Sequence, residues 1–177
     1  NEKPTVQAIA AGKISSCETP IASGNGTFDL STGHNAASSG TVTYHITASD
    51  ANNGVGAISG INSYVGSNNQ TIWVRAASGS CYATTSFLLE VLPTPTASIS
   101  LTHPSCTVAT GELTITTTAT EYKLDGAATF VAIAPLTGLS SGEHTLIVRN
   151  SVGCESSPIV FTINAQPEIP ANPVVAS

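Results

Sequence analysis

Two stretches of the chain follow one plan: TIWVRAASGSCYATTSFLLEV at residues 71–91 and TLIVRNSVGCESSPIVFTI at residues 145–163. Each contains Thr, two apolar residues and Val-Arg, followed by a short turn with Gly, a cysteine and a second apolar run. The chain's only two arginines, Arg75 and Arg149, occupy the same place in the two copies. This recurrence predicts that one strand-turn-strand unit has been built twice, in two domains of the same plan.

Apolar and polar residues alternate with a period of two in both halves, which is typical of half-buried β-strands. The alternation is clear at residues 42–47 and 86–91 in the first half, and at residues 113–116 and 145–149 in the second. No segment shows a convincing helical period, and turn clusters such as SGNG, NNG, LDG and SSG separate the apolar runs. The sequence therefore predicts an all-β chain of two tandem immunoglobulin-like β-sandwich domains.

A proline-rich segment separates the two halves. In LPTPTAS, residues 92–98, two prolines remove backbone donors directly after a strand-like run. The predicted boundaries are a first domain at 1–92, a linker at 93–96 and a second domain at 97–164. The sequence at 165–177, AQPEIPANPVVAS, ends in a form that resembles PTPTAS, which predicts a linker leading to a further, truncated repeat.

The charge composition argues against nucleic-acid binding. Charged residues make up 9% of the chain, the formal net charge is −6, and only five Lys and Arg residues are present, scattered along the sequence. Contacts with phosphates need clustered cations. No apolar run approaches the ~20 residues of a membrane span, so we expect no membrane insertion. The lack of Met and the opening NEKPTV indicate a processed or excised segment, which we expect to be monomeric.

The chain has four cysteines, two in the first half (Cys17 and Cys81) and two in the second (Cys106 and Cys154). They allow three disulfide connectivities, and no CxxC or Cys/His cluster indicates a metal site instead. Because the second cysteine of each half follows the same Val-Arg strand and turn, we predict the pairs Cys17–Cys81 and Cys106–Cys154. Each pair would contribute ~4 kcal/mol in the chain-entropy model. Paired cysteines indicate an oxidising compartment outside the cytoplasm.

The sequence lacks the motifs of an enzyme, so we predict no catalytic residues and a chain that is not an enzyme. Its four histidines have no accompanying G-x-S-x-G or H-E-x-x-H motif. His144 alternates with Leu146 and Val148, which indicates a core residue that needs a hydrogen-bond partner rather than a catalyst.

The segment DANNG at 50–54 is the candidate for a metal cofactor, because Asp50 and Asn52 offer oxygen ligands for calcium. It lacks the alternating acidic ligands and the terminal Glu of an EF-hand loop. Asn53-Gly54 is by itself a hairpin-turn signal, and Asp125-Gly126 carries the same signal in the second half. We therefore predict structural turns at both places and no cofactor, with calcium as the alternative at the first.

Trp73 is the sharpest candidate for ligand binding. If the apolar residues on either side of it point into the core, Trp73 and Arg75 point to the opposite face, where His45 joins them from a neighbouring strand. An exposed indole flanked by donors can stack on a sugar ring of a surface polysaccharide. Alternatively, the ring covers the sheet, with Arg75 laid against it in a cation–π contact. Ile147 stands at the same place in the second copy, which favours cover, and we then expect the heads of both arginines to lie in water.

The second half carries a recognisable series of motifs: Cys106, GELTI at 111–115, EYKLDG at 121–126, LTGLSSGEHTLIV at 136–148 and NSVGC at 150–154. The series resembles the SprB-type repeat of very large surface adhesins from gliding bacteria of the Bacteroidetes, and it covers nearly all of residues 97–164. One departure is His144, where that family usually has Tyr. The first half looks like the Ig-like modules of the same proteins, through FDL at 28–30 and TIWVRA at 71–76.

The resemblance implies a module of a secreted adhesin that is exported by the type IX secretion route, is displayed on the outer membrane exterior and serves in surface attachment and gliding motility. We expect a stiff, disulfide-locked spacer whose partners are the neighbouring repeats of the same chain. Two alternatives stay open: a carbohydrate-binding module centred on Trp73, and an accessory Ig-like spacer of a secreted polysaccharide-degrading enzyme.

Overall fold

A computed structural model describes residues 3–168, and its regular structure is almost entirely β. Strands account for 47% and helices for 8%, which confirms the predicted all-β class. The chain divides into two compact units, Asn1–Pro93 and Thr94–Ser177. The division falls inside the segment 93–96 that the sequence predicts as the linker. Most of the predicted linker at 165–177, which would lead to a further repeat, lies outside the described residues.

Unit 1 is a β-sandwich with one short helix on its outside. Its elements are β1 (Lys13–Cys17), β2 (Asn25–Phe28), β3 (Thr41–His45), α1 (Ala48–Asn53), β4 (Tyr64–Ser67), β5 (Thr71–Ser78) and β6 (Cys81–Leu92), with 3-10 turns at Leu30–Gly33 and Ile61–Ser63. One sheet has the order β1-β6-β5-β3, and β2 pairs with β4 in the other. β1 runs parallel to β6, whereas the other pairings are antiparallel.

The core of unit 1 forms because alternate residues of β5 and β6 point inward. Ile72 and Val74 are fully buried, and Phe87 and Leu89 on β6 are almost fully buried with them. Gly33 is required at its place because a Cβ there would collide with the ring of Phe87. The period-two pattern of the sequence therefore sets the inner face of this sheet.

Unit 2 is a sandwich of seven strands within its described part. These are β7 (Ala97–Thr102), β8 (Gly111–Thr117), β9 (Glu121–Leu124), β10 (Val131–Ala132), β11 (Leu136–Leu139), β12 (Gly142–Arg149) and β13 (Ile159–Ile163). The sheets have the orders β10-β9-β12-β13 and β11-β8-β7, with antiparallel neighbours throughout. Leu113, Leu146, Val148 and Ile163 form the centre of its core.

The two Val-Arg strands, β5 and β12, lead to different connections. β5 turns directly into β6, and Ser78 pairs with Cys81 across the hairpin. In the second copy, residues 150–158 form a longer connection before β13 begins. The backbone of Cys154 is held there by Asn150, whose amide donates to the Cys154 carbonyl at 3.1 Å and whose side-chain oxygen accepts from the Cys154 amide at 2.9 Å. The cysteine after the glycine-containing turn therefore begins a strand in unit 1, whereas in unit 2 it is a buried residue of a mostly exposed loop.

Candidate functional site

The outer face of the large sheet in unit 1 brings the three predicted ligand-binding residues together. His45 on β3 lies directly opposite Trp73 on β5, and Thr43 lies opposite Arg75, so all these side chains share one face. Trp73 is half-buried on this face, while its neighbours Ile72 and Val74 are buried in the core. The three residues are therefore neighbours, as predicted. Whether His45 and Arg75 could contact a ligand depends on their hydrogen-bond partners within the protein.

His45 is fully buried and bonded at both ring nitrogens. Its Nδ1–H donates to the carbonyl of Val55 at 2.7 Å, because a carbonyl can only accept. Its Nε2 lies 2.9 Å from the hydroxyl of Thr43. Both polar atoms of the ring are used inside the protein, so His45 offers no group to a ligand stacked on Trp73.

Arg75 caps the C-terminal end of α1. Its Nη1 donates to the carbonyls of Ala51 at 2.9 Å and Asn52 at 2.8 Å, which are among the carbonyls that a helix end leaves without partners. The guanidinium carbon also lies 3.8 Å from the centre of the Tyr82 ring. The sequence did not predict these hydrogen bonds to the helix end, and the cation–π partner of Arg75 is Tyr82 rather than Trp73.

The calcium candidate DANNG belongs to the helix α1 and the turn after it. Thr47 is the N-cap: its hydroxyl accepts from the Asp50 amide at 3.1 Å and donates to the Asp50 carboxylate at 2.7 Å. Gly54 ends the helix in the left-handed region, at φ 69°. The predicted hairpin at Asn53-Gly54 is wrong, because a capped helix uses the same glycine. The Asp50 carboxylate accepts from the hydroxyl of the capping residue Thr47, and the backbone carbonyl of Asn52 accepts from Arg75.

No grouping of three or more His, Cys, Asp or Glu side chains suited to a metal ion occurs within residues 3–168. Over the same range no helix is long and apolar enough to cross a membrane.

Arg149 occupies on β12 the place that Arg75 has on β5, but its polar partner is a carboxylate. Nε and Nη2 donate to Oε2 of Glu121 at 2.9 and 2.6 Å, and the guanidinium lies 4.1 Å from the centre of the Phe130 ring. The head of Arg149 thus has a carboxylate and a ring as partners, while its side chain stays about one-third exposed. Ile147, the counterpart of Trp73, is half-buried opposite Lys123 on β9.

His144 is a buried residue with a partner at each ring nitrogen, which confirms its predicted role. Nδ1–H donates to the Asp125 carboxylate at 2.7 Å, and Nε2–H donates to the carbonyl of Ser140 at 2.9 Å. The ring stacks on Phe161, with the two centres 5.4 Å apart. The hydrogen bonds to Ser140 and Asp125 raise the pKa of His144 above its usual 6.5, although burial works against them.

Asp125 lies in the predicted hairpin turn between β9 and β10. Asp125 and Gly126 both have positive φ, and the Ala127 amide donates to the Leu124 carbonyl at 2.9 Å, which confirms the turn. Burial raises the pKa of Asp125, but the hydrogen bonds from His144 and from the Thr145 amide outweigh it and lower the pKa. The pair joins this turn to the start of β12.

The cysteines differ from the predicted pairing. Cys17 and Cys154 are disulfide-bonded, whereas Cys81 and Cys106 are free thiols. The predicted pairs Cys17–Cys81 and Cys106–Cys154 are therefore wrong.

The geometry of unit 1 explains why its two cysteines do not pair. Cys17 lies opposite Leu92 at the end of β6, where the Glu18 amide also donates to the Leu92 carbonyl at 2.9 Å. Cys81 is the first residue of the same strand, which has twelve residues. At ~3.3 Å per residue the two ends of β6 are roughly 36 Å apart. A disulfide joins Cα atoms only about 4–7 Å apart.

Unit 2 separates its cysteines in the same way. Cys154 follows the end of β12 at Arg149, while the carbonyl of Cys106 accepts from the Gln166 side chain at 3.2 Å, just beyond β13. The end of β13 pairs with Gly142, the opposite end of β12. Because eight residues of β12 span the distance, roughly 23 Å lie between the two ends.

Among the comparisons with known proteins, a family match covers most of unit 1. Residues 13–95, from β1 to just beyond β6, match the protein family described as the Flavobacterium inter-domain disulphide bond domain. No curated protein matches the chain. A crystal structure of titin domains is similar at 12% identity with a TM-score of 0.37, covering 93% of this chain and 66% of the titin chain. Unit 1 is thus similar to a Bacteroidetes Ig-like domain, while the SprB-type resemblance of residues 97–164 stays a prediction.

Proposed function

We propose that the chain is a non-catalytic spacer of a secreted surface protein, in which one disulfide, Cys17–Cys154, ties the two Ig-like units together. The states of the four cysteines carry the proposal. Each unit has one bonded and one free cysteine, and neither bonded cysteine is within reach of the second cysteine of its own unit. The description of the matched family, which names an inter-domain disulphide bond, supports the same pairing.

The physical effect of such a bond is to close a loop that contains most of the chain. In the chain-entropy model, a loop from residue 17 to residue 154 contributes roughly 5 kcal/mol through the unfolded state. A bond between units also limits the motion that a proline-containing linker would otherwise allow. A spacer benefits from both effects, because it must keep its length without a large core in either unit.

The finer assignment rests on the sequence. The motifs at 97–164 resemble repeats of gliding adhesins, so we assign the spacer to a surface adhesin that is exported by the type IX route and used in attachment and gliding motility. Its partners in this role are neighbouring repeats of the same protein. The commitment of His45, Arg75 and His144 to internal hydrogen bonds supports a role without catalysis.

The disulfide is tested by peptide mapping of the oxidised chain. Free thiols are alkylated first, the chain is digested without reductant, and linked peptides are identified by mass spectrometry. We expect a Cys17–Cys154 peptide, with the alkyl label on Cys81 and Cys106. Finding Cys17–Cys81 or Cys106–Cys154 instead would contradict the proposal. Cys17→Ser should lower the free energy of unfolding by about 2–5 kcal/mol, whereas the matched control Cys81→Ser should leave the bond intact.

A glycan array separates the spacer from the carbohydrate-binding alternative. Because the donors that flank Trp73 are used internally, we expect the wild-type chain and Trp73→Ala to give the same background signal. A glycan signal that depends on Trp73 would replace the spacer with a binding module.

A further inference from the structure

The two cysteines of unit 1 lie at opposite ends of the unit, one where the chain leaves and one near its first residues. Cys17 is next to Leu92, the end of the last strand, so it marks the exit end. Cys81 lines a groove that also contains Lys3, so it marks the entry end. The entry segment is held there, because Thr5 and Ser38 exchange hydrogen bonds close to the same hairpin.

Unit 2 repeats this arrangement. Cys106 lies beside Gln166, after the last strand, and so marks the exit end. Cys154 follows Arg149, whose carbonyl accepts from the amide of Thr120, the residue before β9. The strand before β9 ends at Thr117, whose hydroxyl donates to the Thr96 carbonyl where the chain enters unit 2, so Cys154 marks the entry end. In both units the first cysteine is at the exit and the second at the entry.

The bonded and the free cysteines follow this polarity. The bonded pair is the exit cysteine of unit 1, Cys17, and the entry cysteine of unit 2, Cys154. The free thiols are the entry cysteine of unit 1, Cys81, and the exit cysteine of unit 2, Cys106. Both are accessible, since Cys81 is half-buried and Cys106 is exposed.

We infer that the two free thiols are further joints of the same kind. Cys81 bonds to the exit cysteine of an Ig-like unit that precedes unit 1, and Cys106 bonds to the entry cysteine of an Ig-like unit that follows unit 2. The inference rests on the proposed Cys17–Cys154 bond, which supplies the rule that exit cysteines join entry cysteines. The sequence gives a separate reason to expect a following unit, because NPVVAS at 172–177 resembles PTPTAS at the start of unit 2.

The chemistry of each joint is a two-electron oxidation. Two thiols each lose a proton, an S–S bond forms, and two electrons pass to the disulfide of a thiol-disulfide oxidoreductase, which becomes a dithiol. A new joint therefore needs only an oxidised exchange partner and a second unit at high effective concentration, which a tandem arrangement provides.

A polypeptide that contains two full copies of the chain in tandem tests the inference. Under oxidising exchange conditions we expect the Cys106 of the first copy to bond to the Cys81 of the second. The duplicate should then retain two alkylatable thiols, the same number as a single copy, and a linked Cys81–Cys106 peptide should appear only in the duplicate. The matched control, Cys106→Ser in the first copy alone, should leave both Cys81 thiols free.

Four alkylatable thiols in the duplicate would overturn the inference, as would a Cys81–Cys81 or Cys106–Cys106 peptide as the main product. The single-copy sample distinguishes this failure from failure of the proposed function. Loss of the Cys17–Cys154 peptide there contradicts the spacer itself, whereas its presence beside four free thiols in the duplicate contradicts the polarity rule alone.

Discussion

The Val-Arg strands of the two units have equivalent inner faces and different outer faces. On both strands the residues before and after the central position are fully buried: Ile72 and Val74 on β5, Leu146 and Val148 on β12. On the outer face each arginine stacks on an aromatic ring, Tyr82 in unit 1 and Phe130 in unit 2. The polar partner differs, since Arg75 caps a helix and Arg149 pairs with a carboxylate. The two units thus share the buried residues and the position of the arginine, whereas the groups that contact the arginine on the outer face differ.

Truncation of a buried side chain on the inner face should cause the largest loss of stability, and the loss should be equal in the two units. Ile72→Ala and Leu146→Ala each remove a fully buried side chain, so each should lower the free energy of unfolding of its own unit by about 2–5 kcal/mol. Urea unfolding followed by NMR resonances of each unit measures this. The controls Val65→Ala and Val160→Ala, at 60% and 58% exposed side chains, should change it by less than about 0.5 kcal/mol. A large loss in only one unit would break the equivalence.

The arginines should differ in size of effect and in salt dependence. Arg75→Gln removes charge-assisted bonds to two helix carbonyls and should cost about 1.5–3 kcal/mol. Arg149→Gln breaks a pair whose side chains are about one-third exposed, so it should cost only about 0.2–1 kcal/mol. Added salt should shrink the Arg149 effect and leave most of the Arg75 effect, because carbonyls carry no net charge. If both substitutions lowered the free energy of unfolding equally and with the same salt dependence, the proposed difference between the two arginine partners would be contradicted.

The helix cap is a feature of unit 1 that the described part of unit 2 does not repeat. Thr47→Ala removes the side chain that accepts from the Asp50 amide, and we expect a loss of about 1 kcal/mol in unit 1. Thr41→Ala, on the exposed start of β3, is the matched control.

Calcium should have no effect on unit 1. Millimolar calcium should leave the midpoint of thermal unfolding unchanged in both the wild type and Asp50→Asn. A calcium-dependent rise in this midpoint that is lost in Asp50→Asn would support a calcium site at Asp50 instead.

The smallest effect should be a pH dependence confined to unit 2. The folded pKa of His144 is raised above 6.5, so its stabilisation is complete below 6.5 and is lost as the pH rises through the folded pKa. The pKa of Asp125 is lowered below 3.8, so its contribution is present above 3.8 and is lost as the pH falls through the folded value. Unit 2 should therefore be most stable between these limits.

Unit 1 supplies the comparison for this pH effect. Gln70, which precedes Thr71 as His144 precedes Thr145, donates to the Tyr64 hydroxyl at 2.6 Å and carries no charge. The free energy of unfolding of each unit is measured at about pH 5.5 and about pH 8.5. It should be lower at the higher pH in unit 2 only, and His144→Gln should abolish that decrease. A loss of the same size in His144→Gln would assign the dependence to other groups.

The sequence predicted the fold because alternation directly encodes which side of a strand is buried. It missed α1 because a six-residue helix is too short for a period to appear, although Thr47 with Asp50 and the glycine at 54 are capping signals. It missed the cysteine states for a different reason. Spacing along the chain does not reveal strand direction, and the parallel pairing of β1 with β6 carries Cys17 to the end opposite Cys81.

Cys17 is the last residue of β1, and under the proposed pairing this determines how the chain responds to tension. A pull on its two ends would pass through β1, cross to Cys154 and leave through β13. Residues 18–153 would carry no load, although they could otherwise add roughly 450–490 Å of extended chain. Strong pulling could strip β1 from β6, but the remaining strands of both units would stay folded behind the bond.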